Sequence, residues 1–362
     1  MQMKSVLLLT DVAFWSRSAG HCTRIFELVR TVALHTRLTI VFIGLPGPVD
    51  EVILSASLRC ELIFLEKDRP RTAAQYGRQM KRLLRLRQFD FCIVEYCHLS
   101  YYLDCLPGKP RTILDIHDIM SERSDSFRRF HYDHDIPLTR EMERAIFQLY
   151  DYVIVICDAD FNSLKENVPD YGLLLCPHPA ETRYKKNRAV ASAIGFVGSG
   201  YLPNLDAIET FLDHCWPAIA AKYDVSLHIY GNVGYRLAGC PLPASVRRMG
   251  FVEDPAKIYE ECDVMINPVR FGAGLKIKNI EALAYGLPLI TSTHGARGLE
   301  KGAGEAFLVA DGPAEWIAGT SELMEDYSLR ERLSVNANLF IARHFSVTQC
   351  FDPLTNLLDT GN

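Results

Sequence analysis

The segment FGAGLKIKNIEALAYGLPLI, residues 271–290, gathers residue types that do chemistry into one turn and one short helical pattern. Gly272 and Gly274 allow positive φ or a close approach of backbone to a ligand. The pattern predicts a helix starting near Lys276, where unpaired N–H groups and the helix dipole favour an anion, and Lys276 and Lys278 add two cations. Together these parts suit a phosphate or a diphosphate. Glu281, one to two turns into the helix, would repel a phosphate and must serve another group. A carboxylate accepts two hydrogen bonds, which fits the paired hydroxyls of a ribose. A cationic turn followed by such an acid describes a nucleotide site. The same residues also describe a solvated helix start, and spacing alone does not separate the two.

Other candidates are less specific. His117, in ILDIHDIM, ends an apparent strand on the side of a cleft, where a purely structural role is the plain reading. Asp118 is placed either to orient its ring through the second nitrogen or to cap the next helix. SRSAGHCTRIF puts Gly20 at a strand-to-helix turn, with Ser18 as an ordinary helix cap. Neither half carries G-x-G-x-x-G, which disfavours a dehydrogenase. DHD (133–135) and DAD (158–160) imitate a metal-binding D-x-D and read as incidental. Arg123, Arg128 and Arg129 fit a solvated helix face better than an anionic acceptor site. The stretch 67–90 concentrates Arg78, Lys81, Arg82, Arg85 and Arg87 on a helical pattern, which suits either a surface helix or peripheral contact with anionic lipid.

The elements that must position these residues alternate along the chain. SVLLLTD (5–11), LTIVFIG (38–44), CELIFLE (60–66), FDFCIVEY (89–96), RTILDIHD (111–118) and DYVIVIC (151–157) read as strands with helical patterns between them. Near-continuous apolar strands of this kind form parallel sheets covered on both faces. Residues 177–192 read as a linker, after which the alternation restarts: AIGFVGS (193–199), a helix over 203–220, VSLHIYG (225–231), RRMGFVED (247–254), CDVMINP (262–268) and LPLITST (287–293). The tail, 331–358, reads as two helices. The expected architecture is α/β, two doubly wound units with ligands at the carboxyl ends of the strands between them.

The 362 residues suit two domains, and 48% apolar with 23% charged residues suits an ordinary globular protein. A net charge of −5 argues against a nucleic-acid partner held by overall basicity. Eleven scattered cysteines form no zinc set and fit reduced thiols. The amino-terminal apolar run meets Asp11 too early for a signal peptide, and no apolar run is long enough to span a bilayer, so a cytoplasmic location is expected.

The segment NPVRFGAGLKIKNIEALAYGLPLITSTHGARGLE resembles the nucleotide-sugar site of family 4 glycosyltransferases, and GFVGSGYLPNLDAIETFLDHCWPAI resembles the opening of the same domain. LHIYGNVG and RRMGFVEDPAKIYEECDVMINP continue in register, while 1–180 carries a weaker likeness in its strand order and in LDIHD. The resemblance implies a GT-B fold, two Rossmann-like domains facing each other across a cleft. It divides the chain into an acceptor-binding domain over 1–180, a nucleotide-sugar domain over 190–335 and a helix over 336–362 bracing the first domain. It also implies a retaining transfer from a nucleotide diphosphate sugar to a glycan, lipid-linked or other acceptor, in polysaccharide or glycoconjugate biosynthesis. Glu281 would then bind the ribose. Gly198 and Ser199 would face the diphosphate beside Lys276, Lys278, Gly272, Gly274 and Leu275, with Gly231 in the same wall. Phe251 and Val252 would lie against the base, His117 would contact the donor sugar, and the Gly20 loop would approach phosphates or acceptor. No cofactor and no metal is expected, since helix dipole and cations replace one. Two departures stand out: Ala273 replaces the first of a pair of glutamates eight positions apart, and GSGYLPN lacks the usual basic residues, leaving the charge to Lys276 or Lys278. A GT-B epimerase or hydrolase, or an inactive nucleotide-binding partner subunit, would use the same pocket.

Overall fold

The computed structural model describes residues 3–16, 19–45, 49, 51–65, 73–133, 138–165, 172–239, 241–252 and 254–361. Its first sheet contains β1 (Ser5–Thr10), β2 (Arg37–Ile43), β3 (Glu61–Leu65), β4 (Phe91–Glu95), β5 (Arg111–Asp115), β6 (Tyr152–Val155) and β7 (Gly172–Leu175). The order is β3-β2-β1-β4-β5-β6-β7, with every neighbouring pair parallel. The second sheet holds β8 (Ala193–Val197), β9 (Ser226–Tyr230), β10 (Val246–Gly250), β11 (Val264–Asn267), β12 (Leu289–Thr291) and β13 (Leu308–Val309). It is also parallel, in the order β10-β9-β8-β11-β12-β13. In each sheet the direction of winding reverses once, between β1 and β4 and between β8 and β11, so each has a ligand crevice at those carboxyl ends.

The central strands are apolar on both faces because helices cover both. Val6 and Leu8 of β1 join one buried cluster, and Leu7 and Leu9 join the other. Helix Gly20–His35 lays Ile25, Leu28, Val29, Val32 and Ala33 on the first of these faces. The helix expected over 203–220 is two, Leu202–His214 and Trp216–Lys222. Pro217 stands at the start of the second, where its missing N–H and fixed φ are tolerated, and it would disrupt a continuous helix. β7, β13 and helix Pro313–Glu325 lie outside the elements expected from sequence. Conversely, β5 stops at Asp115, so His117 sits two residues beyond the strand in the loop.

The carboxyl ends of the two sheets face each other and touch. Phe271, fully buried, stacks against Phe130 and Tyr132 and meets Phe127 edge-on. Arg297 bonds Glu122 and Asp160 across the same interface. The tail crosses back: helix Val347–Thr360 places Phe351, Leu354, Leu357 and Leu358 in the cluster beneath β1. Helix Tyr327–His344 instead buries Ala337 and Ile341 with the second sheet's core. A boundary at 335/336 therefore falls inside a helix, and the chain crosses between the units near Phe345 and Ser346.

Candidate active site between the two sheets

The loop after β11 runs through Gly272 and Gly274, both at positive φ, into helix Ile277–Ala284. Gly274 has no room for a side chain: a Cβ there would stand 2.7 Å from the carbonyl oxygen of His117 in the other domain. The phosphate-type loop of one domain thus lies directly on the histidine loop of the other. Gly20 opens its helix against the same structure, with an added Cβ only 3.2 Å from that of Ile277. The residue before Gly20 in the cap position is Ala19, and Ser18 lies outside the described residues.

Lys276 precedes the helix and turns back on its own loop, donating to the carbonyls of Gly274 at 2.8 Å and Ala273 at 3.1 Å. Lys278 reaches β8, donating to Val197 O at 3.0 Å and Asn204 Oδ1 at 2.8 Å, over the face of Phe196. Asn204 in turn donates to Ser199 O and Oγ. Lys278 therefore places its ammonium against the loop that holds Gly198 and Ser199, which has no basic residue of its own. Burial pushes both ammonium groups down, Lys276 to about 8 and Lys278 to about 7, where neighbouring Lys276 adds to the effect. The floor of this loop is backbone on backbone. Gly231, at φ +85°, comes so close that a Cβ would lie 2.3 Å from Gly198 O. Only glycine fits there.

Glu281 accepts a hydrogen bond from the Tyr259 hydroxyl at 2.7 Å on Oε2. Its other oxygen makes no hydrogen bond among the described residues and is not sealed in the interior. Burial raises this carboxyl above its ordinary range, and Tyr259 opposes the shift. Val252 packs against the cluster that holds Tyr259 and Ile280, whereas neighbouring Phe251 is 45% exposed. Leu275 is buried in the same cluster. The second domain therefore ties Lys278 to the Gly198–Ser199 loop through Val197 and Asn204, with Gly231 beneath that loop, and it carries Gly272, Gly274 and Lys276 in the turn before the same helix and Glu281 one turn beyond Lys278.

In the first domain His117 is 7% exposed and its Nε2 lies 2.9 Å from Oε2 of fully buried Glu95. The imidazole stacks on Tyr96 at 4.4 Å. Beside them Arg24 grips both oxygens of Asp115 at 3.0 and 3.1 Å in a wholly buried pair. Burial drives Glu95 up to about 8, Asp115 up to about 6 against the pull of Arg24, and His117 down to about 3. Glu95, Asp115 and His117 lie close enough to share a divalent cation. Arg24 already occupies both oxygens of Asp115, and its positive charge opposes a second cation there.

Asp118 takes neither expected role. It binds Arg123, and helix Met120–Arg129 is capped from a distance by Glu143, which accepts from the N–H groups of Met120 and Ser121. Arg128 pairs with Asp125 on the surface. Asp158 and Asp160 of the DAD triplet hold Lys301 and Arg297 across the domain interface, and His134 and Asp135 of DHD lie outside the described residues. Helix Ala73–Leu84 buries Tyr76, Met80 and Leu84 and exposes Arg78, Lys81 and Arg82, with Arg85 beyond its end; residues 66–72 lie outside the described residues. Among the described residues no helix is long and apolar enough to cross a membrane. Glu95, Asn204 and Tyr259 escaped the sequence reading because each acts on a partner 22 or 74 positions away. Only the polar Glu95 at the end of an apolar strand gave any signal.

Residues 191–326 match the family profile described as "Glycosyl transferases group 1", which spans most of the second domain. The chain is 21% identical over 309 residues to a Klebsiella pneumoniae protein described as an uncharacterized 44.6 kDa protein in the cps region, covering 76% of this chain and 77% of that one. Among solved structures, sucrose-phosphate synthase from Thermosynechococcus elongatus superposes with a TM-score of 0.78 at 16% identity, over 99% of this chain and 100% of that one. Anabaena HepE, in complex with UDP and glucose, superposes with a TM-score of 0.75 at 12% identity, over 99% and 100% of the two chains. The fold is GT-B, and its second domain carries a group 1 glycosyltransferase segment. The enzyme class is glycosyltransferase.

Proposed function

We propose that the protein is a retaining, family 4 type glycosyltransferase that moves a sugar from a nucleoside diphosphate sugar to a glycan, lipid-linked or other acceptor. The observation that carries this reading is the span of Lys278, from helix Ile277–Ala284 to the Val197–Ser199 loop, with Glu281 one turn further on. A diphosphate laid over that span meets Lys278, Lys276 and the free N–H groups of the helix start, while the ribose meets the open oxygen of Glu281. The base then rests by Phe251 and Val252, using main-chain groups, and the sugar projects toward His117.

The chemistry is departure of the diphosphate from the anomeric carbon. The C1–O bond to phosphate breaks, the acceptor oxygen bonds C1, and the acceptor's proton passes to the leaving phosphate. On this route no protein base is required. The two lysines and the helix start act on charge that grows as the bond breaks, so they stabilise the transition state more than the bound substrate. The acceptor enters from a cleft of about 170 Å³ whose walls include Ser126, Arg129, Gly272 and His294. The cations and helix start take the place of a metal on the phosphates.

A thermal-shift panel of UDP, GDP, ADP and TDP tests the donor assignment, because a ligand of the native state raises the melting temperature. UDP is the first choice, since the HepE structure holds UDP. Glu281→Ala is expected to weaken the preferred nucleotide about 10- to 100-fold, from loss of charged hydrogen bonds worth about 1.5–3 kcal/mol. Unchanged binding in that variant removes Glu281 from the site. Turnover of the donor without any acceptor would point to an epimerase or hydrolase.

A further inference from the structure

Glu95 and His117 form a buried pair whose proton arrangement is fixed by an atom with no partner. Oε2 of Glu95 meets His117 Nε2 at 2.9 Å, whereas Oε1 is buried and meets nothing among the described residues. An O–H on Oε1 would leave a buried donor unpaired, and an ionised carboxylate would leave part of its charge unpaired there, both costlier than a bare carbonyl. The arrangement that leaves only a carbonyl on Oε1 puts the carboxyl proton on Oε2, donating to Nε2. The neutral imidazole then carries its own proton on Nδ1. Nδ1 has no protein partner among the described residues and is not a sealed interior atom, so it is the nitrogen left for a ligand.

Resting on the donor-site reading above, we propose that Glu95 is a positioning residue that holds His117 as the Nδ1–H tautomer, so that the imidazole meets an oxygen of the donor sugar as a hydrogen-bond donor and not as a base. Two more features of the same corner serve that end. Tyr96, the next residue, holds φ at +65° with ψ at 145°, a backbone state costly for a non-glycine residue, and stacks flat on the imidazole. The groups facing Glu95 comprise Arg24 and His21 from helix Gly20–His35, Asp11 from beyond β1, Asp115 from the end of β5 and His117 from the loop after it. Arg24 is already neutralised by Asp115, which leaves burial to dominate and keeps the Glu95 carboxyl protonated up to about pH 8. Above that pH Glu95 becomes an acceptor, the ring proton moves to Nε2, and Nδ1 presents a lone pair.

The test uses full-length protein with ¹⁵N-labelled histidine, with the His117 ring assigned by loss of its signals in His117→Asn. At pH 7 the expected pattern is protonated Nδ1 and bare Nε2, reversing above about pH 8. Glu95→Gln, whose amide N–H can still donate to Nε2, should keep the Nδ1–H form. Glu95→Leu should lose it and cut kcat about 10- to 100-fold with UDP affinity unchanged. A wild-type ring protonated on Nε2 at pH 7, or Glu95→Leu with wild-type ring signals and kcat, overturns the proposal. A protein with the expected tautomer that neither binds nor turns over any sugar nucleotide fails the donor reading and leaves the Glu95–His117 coupling standing. Donor turnover with no movement of the Nδ1 resonance on donor binding overturns the sugar contact.

Discussion

The two strand mouths that face each other across the cleft are charged in opposite styles. At the first, every strong group has a strong partner within the protein: Arg24 with Asp115, and His117 with Glu95. At the second, the two ammonium groups rest on neutral carbonyls and one amide, and among the described residues neither is bonded to a carboxylate. Glu281 likewise has one oxygen held by Tyr259 and one to spare. A mouth whose charges cancel internally is architecture, in which the buried His117 ring keeps one nitrogen without a partner among the described residues. On the proposed reading, a mouth whose cations are parked on weak acceptors exchanges those acceptors for the diphosphate.

The largest effect that breaks this comparison lies in the first mouth. Arg24→Met leaves the Asp115 carboxylate buried without its partner and also removes the bond to the Pro177 carbonyl. The expected loss of stability is about 3–5 kcal/mol, read by urea unfolding. A loss under about 1 kcal/mol would mean the pair is not the closed unit described. Next in size is the double substitution Lys276→Ala with Lys278→Ala. Removing two donors aimed at developing charge should lower kcat about 10²- to 10³-fold, with a much smaller change in KM and an unfolding midpoint no lower than wild type. A large KM change with kcat retained would make the lysines ground-state binders, and the contrast between the mouths would weaken.

What was legible in the sequence follows the same division. The local part of the second mouth is legible: Gly272 to Glu281 fall within ten residues, and the helix period places them. The first mouth is assembled from β1, β4 and β5, so Arg24, Glu95 and Asp115 meet only when the strand order is known. His117 is visible as a polar residue at the end of an apolar run, but adjacency offers only Asp118, as its partner or as a helix cap, whereas its partner is Glu95, 22 residues away. The division of the tail between the domains is hidden for a similar reason. Nothing in the pattern of helix Tyr327–His344 marks which domain its apolar residues serve until both cores are in place.

The smallest effect sharpens the comparison most, because it measures a proton. Burial holds Lys278 at about 7 and Lys276 at about 8 in the free protein, well below the ordinary lysine value of about 10.4. The unfolded chain therefore binds more protons than the folded one from about pH 7 up to the ordinary lysine range. On that account these two groups make stability rise with pH across the window. A diphosphate placed beside them favours the charged forms and raises both values. At pH 8.5 nucleotide binding should then take up between one and two protons, and at pH 6, where both lysines are already charged, the uptake should vanish. Calorimetry of UDP binding in buffers of different ionisation enthalpy reads the number directly. Lys278→Met should reduce it to below one, since Lys276 alone remains to titrate. Binding with no buffer dependence at pH 8.5 would mean that the anion is not seated on these lysines, and the second mouth would then be as closed as the first.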